Sequence, residues 1–93
     1  MAHRTVVVAS ASGLHARPAK LFVQAAMRLG VPVTIRLGDK SVPAKSMLGV
    51  LSLGAARGAE VTLEADGPGA DQALDTLAAL LSRDLDTEEA LDG

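Results

Sequence analysis

Two stretches of this chain alternate apolar and polar residues with a period of two, and that pattern limits the fold more than any other feature. In residues 31–37 (VPVTIRL), Val33, Ile35 and Leu37 share one face while Thr34 and Arg36 share the other. Residues 59–65 (AEVTLEA) repeat the pattern, with Val61, Leu63 and Ala65 on the apolar side. Successive side chains of a strand point to opposite faces, so each stretch reads as a strand with one buried face and one in water. Strands of a parallel sheet, covered on both faces, would be apolar throughout. An antiparallel sheet covered on one side only is therefore expected.

The rest of the chain supplies the cover. Residues 4–8 (RTVVV) read as another short strand, and residues 9–17 as a loop pivoting on Gly13. From Ala16, the residues Phe22, Ala25, Ala26 and Leu29 fall at i, i+3, i+4 and i+7, the stripe of an amphipathic helix. Pro18 sits in its first turn and Gly30 just past its last apolar residue. Gly38-Asp39 turns the chain into a short strand, 40–43, which Pro43 confines to a sheet edge. A short helix runs from Ser46 to about Leu53 and closes at Gly54. After the break at Gly67-Pro68-Gly69, a last helix over 70–83 buries Leu74, Leu77, Ala78 and Leu81, with Asp71 near its N-terminal dipole. The order β-α-β-β-α-β-α, with helices on one side, is an α+β two-layer open-faced sandwich.

Ninety-three residues leave room for one such domain. Phe22 is the only aromatic residue, so aliphatic packing must form the core. The absence of cysteine excludes a disulfide scaffold, a thiolate metal site and a thiol nucleophile, and fits a reducing compartment. No apolar run approaches the roughly 18 residues of a membrane span, and the start lacks a signal-peptide apolar region. A soluble, cytoplasmic protein without membrane insertion is expected.

The net charge of −2 is unevenly spread. Residues 84–93 (DLDTEEALDG) hold five acids and no base, whereas residues 1–83 hold nine bases against six acids. The expected organisation is a domain over 1–83 followed by an acidic C-terminal extension, 84–93, that prolongs the helix or is disordered. Residues 1–45 hold seven bases and one acid, Asp39, a surface suited either to an anion or simply to water. Nucleic acid is disfavoured as the anion, since the aromatic side chains on which unpaired bases stack are missing.

Few residues offer chemistry. His3 reads as a solvent-exposed residue without a role. His15 differs, because it delivers an imidazole to the start of the first helix, where backbone N–H groups lack intrahelical acceptors. An anion there is favoured by those donors, including Ala16 and Arg17, and by the helix dipole. The guanidinium of Arg17 suits phosphate oxygens. Imidazole is a competent nucleophile near neutral pH, so His15 reads either as a phosphoryl acceptor or as a polar cap. No group of residues has metal-ligand spacing, and the Walker and dinucleotide glycine patterns are absent, so no metal and no cofactor are expected.

The second helix, SMLGVLSL, is too apolar to be buried on one side. Val50 and Leu53 share a core-facing side. Met47, Leu48 and Leu51 then form an adaptable apolar patch of the kind that marks a protein contact. Ser46 reads as an N-cap, and a phosphate on it would alter binding at the patch.

Together, GLHARPAKLF (13–22), AKSMLGVLSLGA (44–55) and GAEVTLEADGPGADQAL (58–74) resemble the HPr family. These are the histidine-containing phosphocarriers of the bacterial phosphoenolpyruvate:sugar phosphotransferase system. The resemblance covers Thr5 to about Ser82 and implies four antiparallel strands in the order 1-4-2-3, with three helices on one face. It implies that His15 accepts a phosphoryl group on Nδ1 from phosphorylated enzyme I and passes it to the A component of a sugar permease, supported by Arg17. It further implies a relay protein without catalytic turnover of its own, expected as a monomer. The patch of Met47, Leu48 and Leu51, with Ala16, Arg17, Lys20 and Ser52 around it, is similar to the family's docking surface. Ser46 matches the family's regulatory serine, the target of an HPr kinase/phosphorylase, through which a transcriptional regulator would be a further partner. Residues 84–93 depart from the family pattern.

Overall fold

The computed structural model describes residues 2–10 and 13–83, and the acidic segment 84–93, read as helix continuation or disordered end, lies outside the described residues. The chain forms β1 (Ala2–Val7), α1 (Ala16–Leu29), β2 (Val33–Leu37), β3 (Lys40–Pro43), α2 (Met47–Leu53), β4 (Glu60–Ala65) and α3 (Ala70–Leu81). The sheet runs β1-β4-β2-β3 with every neighbouring pair antiparallel, the open-faced sandwich expected.

Strand ends are set by partners rather than by local residues. β1 starts two residues before RTVVV because Ala2 and His3 pair with Ala65 and Glu64 of β4. β4 is interior and aligns its neighbours: Leu63 lies between Arg4 and Ile35, and Ala65 between Ala2 and Val33. β3 is an edge, and Pro43, which cannot donate to a ladder, lies exposed at its end.

The alternation seen in the sequence becomes a buried and a wet face. Val33, Ile35, Val61, Leu63 and Ala65 turn inward and are buried. Ala19, Phe22, Val23 and Ala26 of α1 and Leu74, Leu77 and Leu81 of α3 complete the core with them. Ala78, expected on the buried stripe, is only half-buried and packs at the margin of that core. α3 ends at Leu81 instead of Arg83, because Ser82 serves as its C-cap and returns its N–H to the Ala78 carbonyl at 3.0 Å. On the open face Arg36 reaches Glu64 at 3.6 Å.

One cross-layer contact was not expected. Arg4 Nε donates to Asp75 at 3.0 Å and its Nη2 to Asp71 at 3.3 Å, tying the outer strand β1 to α3. The hydrogen bond to Asp75, opposed by desolvation and aided by both carboxylate charges, raises the pKa of Arg4. Asp71 therefore has a tertiary partner besides the helix dipole.

Phe22 is wholly buried, and truncating such a ring removes its transfer energy and leaves a cavity. Phe22→Ala is expected to cost about 3–5 kcal/mol, read as a lower urea midpoint at unchanged slope. Met27→Ala on the same helix, at a side chain 65% exposed, should stay within about 0.5 kcal/mol.

Candidate functional site at the start of α1

His15 is the N-cap of α1, with extended backbone (φ −147°, ψ 160°) and no capping hydrogen bond from its side chain. The residue is exposed, so the polar-cap role that the sequence left open is not what the imidazole does. Pro18 removes one of the first N–H groups, leaving the amides of Ala16 and Arg17 as donors at the helix start. The first turn contains no acidic residue that would compete for them. Arg17 is half-buried with its Nε buried. With Lys20, Leu21, Gln24 and Arg28 it lines a basic surface groove of about 380 Å³.

Backbone contacts hold the loop before His15. Gly13 N–H donates to the Ser10 carbonyl at 2.9 Å, and Leu14 N–H to the Ala55 carbonyl at 2.8 Å. The Leu14 side chain is only 1% exposed, an anchor one residue before the exposed imidazole. Gly13 has φ +74°, and a Cβ there would stand 2.5 Å from the Ala55 oxygen and 2.8 Å from Ala56 Cα. The expected pivot is thus also a close backbone contact. The supporting role of Ala55 and Ala56 had no signal in the sequence, because neither residue type is distinctive.

At α2, Ser46 is the N-cap, accepting from the Gly49 N–H at 3.1 Å. Val50 and Leu53 are buried, Met47 and Leu51 half-buried, and Leu48 is 83% exposed. Ser52 returns its hydroxyl to the Gly49 carbonyl at 2.6 Å and accepts Lys40 Nζ on its carbonyl at 3.0 Å. Met27, exposed toward the end of α1, is a further apolar surface residue that the stripe pattern did not single out. His3 stands exposed on β1 opposite Glu64. No group of His, Asp and Glu able to hold a metal occurs among the described residues. Nor is any described helix long and apolar enough to cross a membrane.

The fold and this site define a small open-faced sandwich that presents one exposed histidine at a helix start. Residues 2–83 match the family model described as the PTS HPr component phosphorylation site. The chain belongs to the HPr family, the phosphocarriers of the phosphotransferase system. The phosphocarrier protein HPr of Streptomyces coelicolor is 54% identical over 87 residues, covering 92% of this chain and 94% of that protein. Among solved structures, HPr from Bacillus anthracis has a TM-score of 0.83 at 40% identity, covering 86% of this chain and 95% of the other. The catabolite repression protein Crh of Bacillus subtilis, crystallised as a swapped dimer, has a TM-score of 0.68 at 44% identity, covering 87% and 93%.

Gly13→Ala meets both an unfavourable φ and a backbone clash. It is expected to cost more than about 2 kcal/mol in urea unfolding, with shifted amide signals at Leu14 and Ala55. Gly58→Ala, at φ +89° with open space around it, should cost only about 1–2 kcal/mol.

Proposed function

We propose that His15 is the phosphoryl acceptor, taking the group from phosphorylated enzyme I and passing it to the A components of sugar permeases. The observation that carries this is the exposed imidazole of His15, free of any cap bond, at the start of α1 in a member of a family described by its phosphorylation site. The Nδ1 lone pair attacks phosphorus with the ring proton on Nε2. The bond between phosphorus and the donor breaks, and its electron pair leaves with the donor. The transferred group passes through a loose, metaphosphate-like state whose charge lies on three oxygens. The amides of Ala16 and Arg17, the Arg17 guanidinium and the helix dipole stabilise that charge, on His15 as in transit. The second transfer reverses the roles, and His15 leaves with its pair. No metal or cofactor enters. The protein acts as a cytoplasmic monomeric relay, with no turnover of its own.

Incubation with phosphoenolpyruvate and enzyme I should add one acid-labile phosphoryl group per chain. His15→Ala should abolish that addition at unchanged thermal stability, and equal labelling of the variant would refute the assignment. Arg17→Ala should still accept the group but about ten- to a hundredfold more slowly, less than the loss seen in water-excluded sites.

Met47, Leu48 and Leu51 form the docking patch for both partners, bordered by Ala16, Lys20 and Ser52. The basic surface beside it speeds encounter with acidic partners more than it deepens affinity. Leu48→Asp should raise the Kd for enzyme I about ten- to a hundredfold, the loss of one anchor worth 1.5–3 kcal/mol, while its melting temperature holds. Unchanged affinity in a calorimetric titration would remove Leu48 from the interface.

A regulatory role for Ser46 is a second part of this reading, favoured by its place as the cap of α2, directly before Met47 and Leu48. A phosphate made there by an HPr kinase/phosphorylase would stay near the helix N–H groups and place about two negative charges beside the patch. That change would slow transfer to His15 and create a surface for a transcriptional regulator.

A further inference from the structure

One side of α2 is held by the edge strand β3 at three points. Ser46 N–H donates to the Pro43 carbonyl at 3.1 Å. Gly49, with no side chain, lets the helix backbone close on Val42, whose Cβ would stand 3.0 Å from a Cβ at Gly49. Lys40 Nζ donates to the Ser52 carbonyl at 3.0 Å. Ser46, Gly49 and Ser52 recur at i, i+3 and i+6 and so form one face of the helix. Val50 and Leu53 enter the core from the neighbouring face, which leaves Met47, Leu48 and Leu51 for the apolar patch.

The last of these contacts is the one that chemistry singles out. The final carbonyls of a helix have no intrahelical N–H partner and carry the negative end of its dipole. A cation there is favourable, but α2 has no basic residue in its own last turn. The Ser52 hydroxyl turns back to the Gly49 carbonyl at 2.6 Å, and Gly54 N–H takes the Leu51 carbonyl at 3.2 Å. The Ser52 carbonyl, which neither of these engages, takes the ammonium of Lys40, twelve residues back in the chain. Lys40 is placed in turn by β2, since it pairs with Leu37 across the Gly38-Asp39 turn, where Gly38 has φ +62°. A helix of seven residues depends on such outside contacts, because it has too few hydrogen bonds of its own to persist alone.

We infer that Lys40 is a positioning residue for partner docking: its ammonium closes the last turn of α2 from the edge strand and keeps Leu48 and Leu51 in place for a partner. The inference rests on the docking reading of the patch given above. Lys40 acts through α2 and does not touch the partner, because its ammonium already faces the Ser52 carbonyl.

The first measurement uses the full chain and needs neither partner nor phosphoryl donor. Lys40→Met keeps most of the aliphatic stem and loses the charge and the donors. Hydrogen exchange at the Leu53 and Gly54 amides should quicken about two- to fivefold relative to Leu74 and Leu77 in α3, the range expected of a cation at a helix end. Titration with enzyme I should give a Kd raised by about the same factor, with KM for phosphoryl transfer rising alongside it and kcat unchanged. Lys40→Arg, which keeps both charge and donors, should return exchange and Kd to the parental values. Unchanged exchange in Lys40→Met would overturn the inference, and a raised Kd beside it would make Lys40 a direct contact of the partner. Faster exchange at unchanged Kd, or failure of Lys40→Arg to restore both quantities, would overturn it too. A parent chain that did not bind enzyme I would instead overturn the docking reading, and the positioning role with it, whatever the exchange rates.

Discussion

Burial of Leu14 is the contact on which the geometry at His15 depends. The residues before it, Ala9 to Gly13, are small or polar and offer no apolar anchor of any size. Fixing such a stretch costs on the order of 1–2 kcal/mol per residue in backbone entropy. Leu14 offsets part of that cost by entering the core, where a fully buried leucine contributes about 1.5–3 kcal/mol. Its amide is held at the same time by Ala55, and Gly13 allows the two backbones to approach as closely as they do. The next residue enters α1 in extended conformation with its ring in solvent. The placement of His15 is thus a by-product of core packing, achieved without a capping hydrogen bond from the imidazole itself.

Charge is sorted by the same architecture. The first turn of α1 lacks the acidic residue that often compensates a helix N-terminus, so its positive end stays available to an external anion. Carboxylates on the described surface stand elsewhere: Asp71 and Asp75 with Arg4 where β1 meets α3, Glu64 with Arg36 on the open sheet face. These exposed pairs contribute little individually to stability. Their larger effect is to draw these carboxylates away from α1, where Lys20 and Arg28 have no ion-pair partner among the described residues.

Features that depend on local periodicity were legible in the sequence. Alternation in 33–37 and 61–65 identified the wet and dry faces, and Gly30, Gly54 and Ser46 marked helix ends, because turn and cap chemistry acts within a few residues. What escaped was long-range. The pairing of Ala2 and His3 with β4 and the reach of Arg4 to Asp71 and Asp75 link residues about sixty or more apart, and no local pattern encodes them. Likewise His15 could be read as a candidate from its place between a loop and the first turn of a helix, but its support could not. Ala55 and Ala56 act through a carbonyl and a Cα that any residue would possess. The resemblance to the HPr family supplied what periodicity lacked, namely the strand order and the pairing of His15 with a partner surface.

α2 joins the two halves of the proposed mechanism. Seven residues make less than two turns, too short to stand without tertiary burial, and Val50 and Leu53 provide it on one side. The opposite side is then obliged to show Leu48 to solvent, so the apolar patch follows from making so short a helix stable. The Ser46 hydroxyl that caps this helix precedes the patch immediately. Gly49 adds to the close packing there, since a Cβ would stand 3.1 Å from Ser46 Oγ and 3.0 Å from Val42 Cβ and so press on the cap. A phosphate on that hydroxyl would stay beside the Gly49 amide that the oxygen already engages, so the helix need not unravel to accept it. Its effect would instead fall on Met47 and Leu48, which a partner must dehydrate next to a strongly hydrated dianion. On the regulatory role proposed for Ser46, control by charge would therefore require no conformational change, only an apolar contact close enough to feel the cost of desolvation.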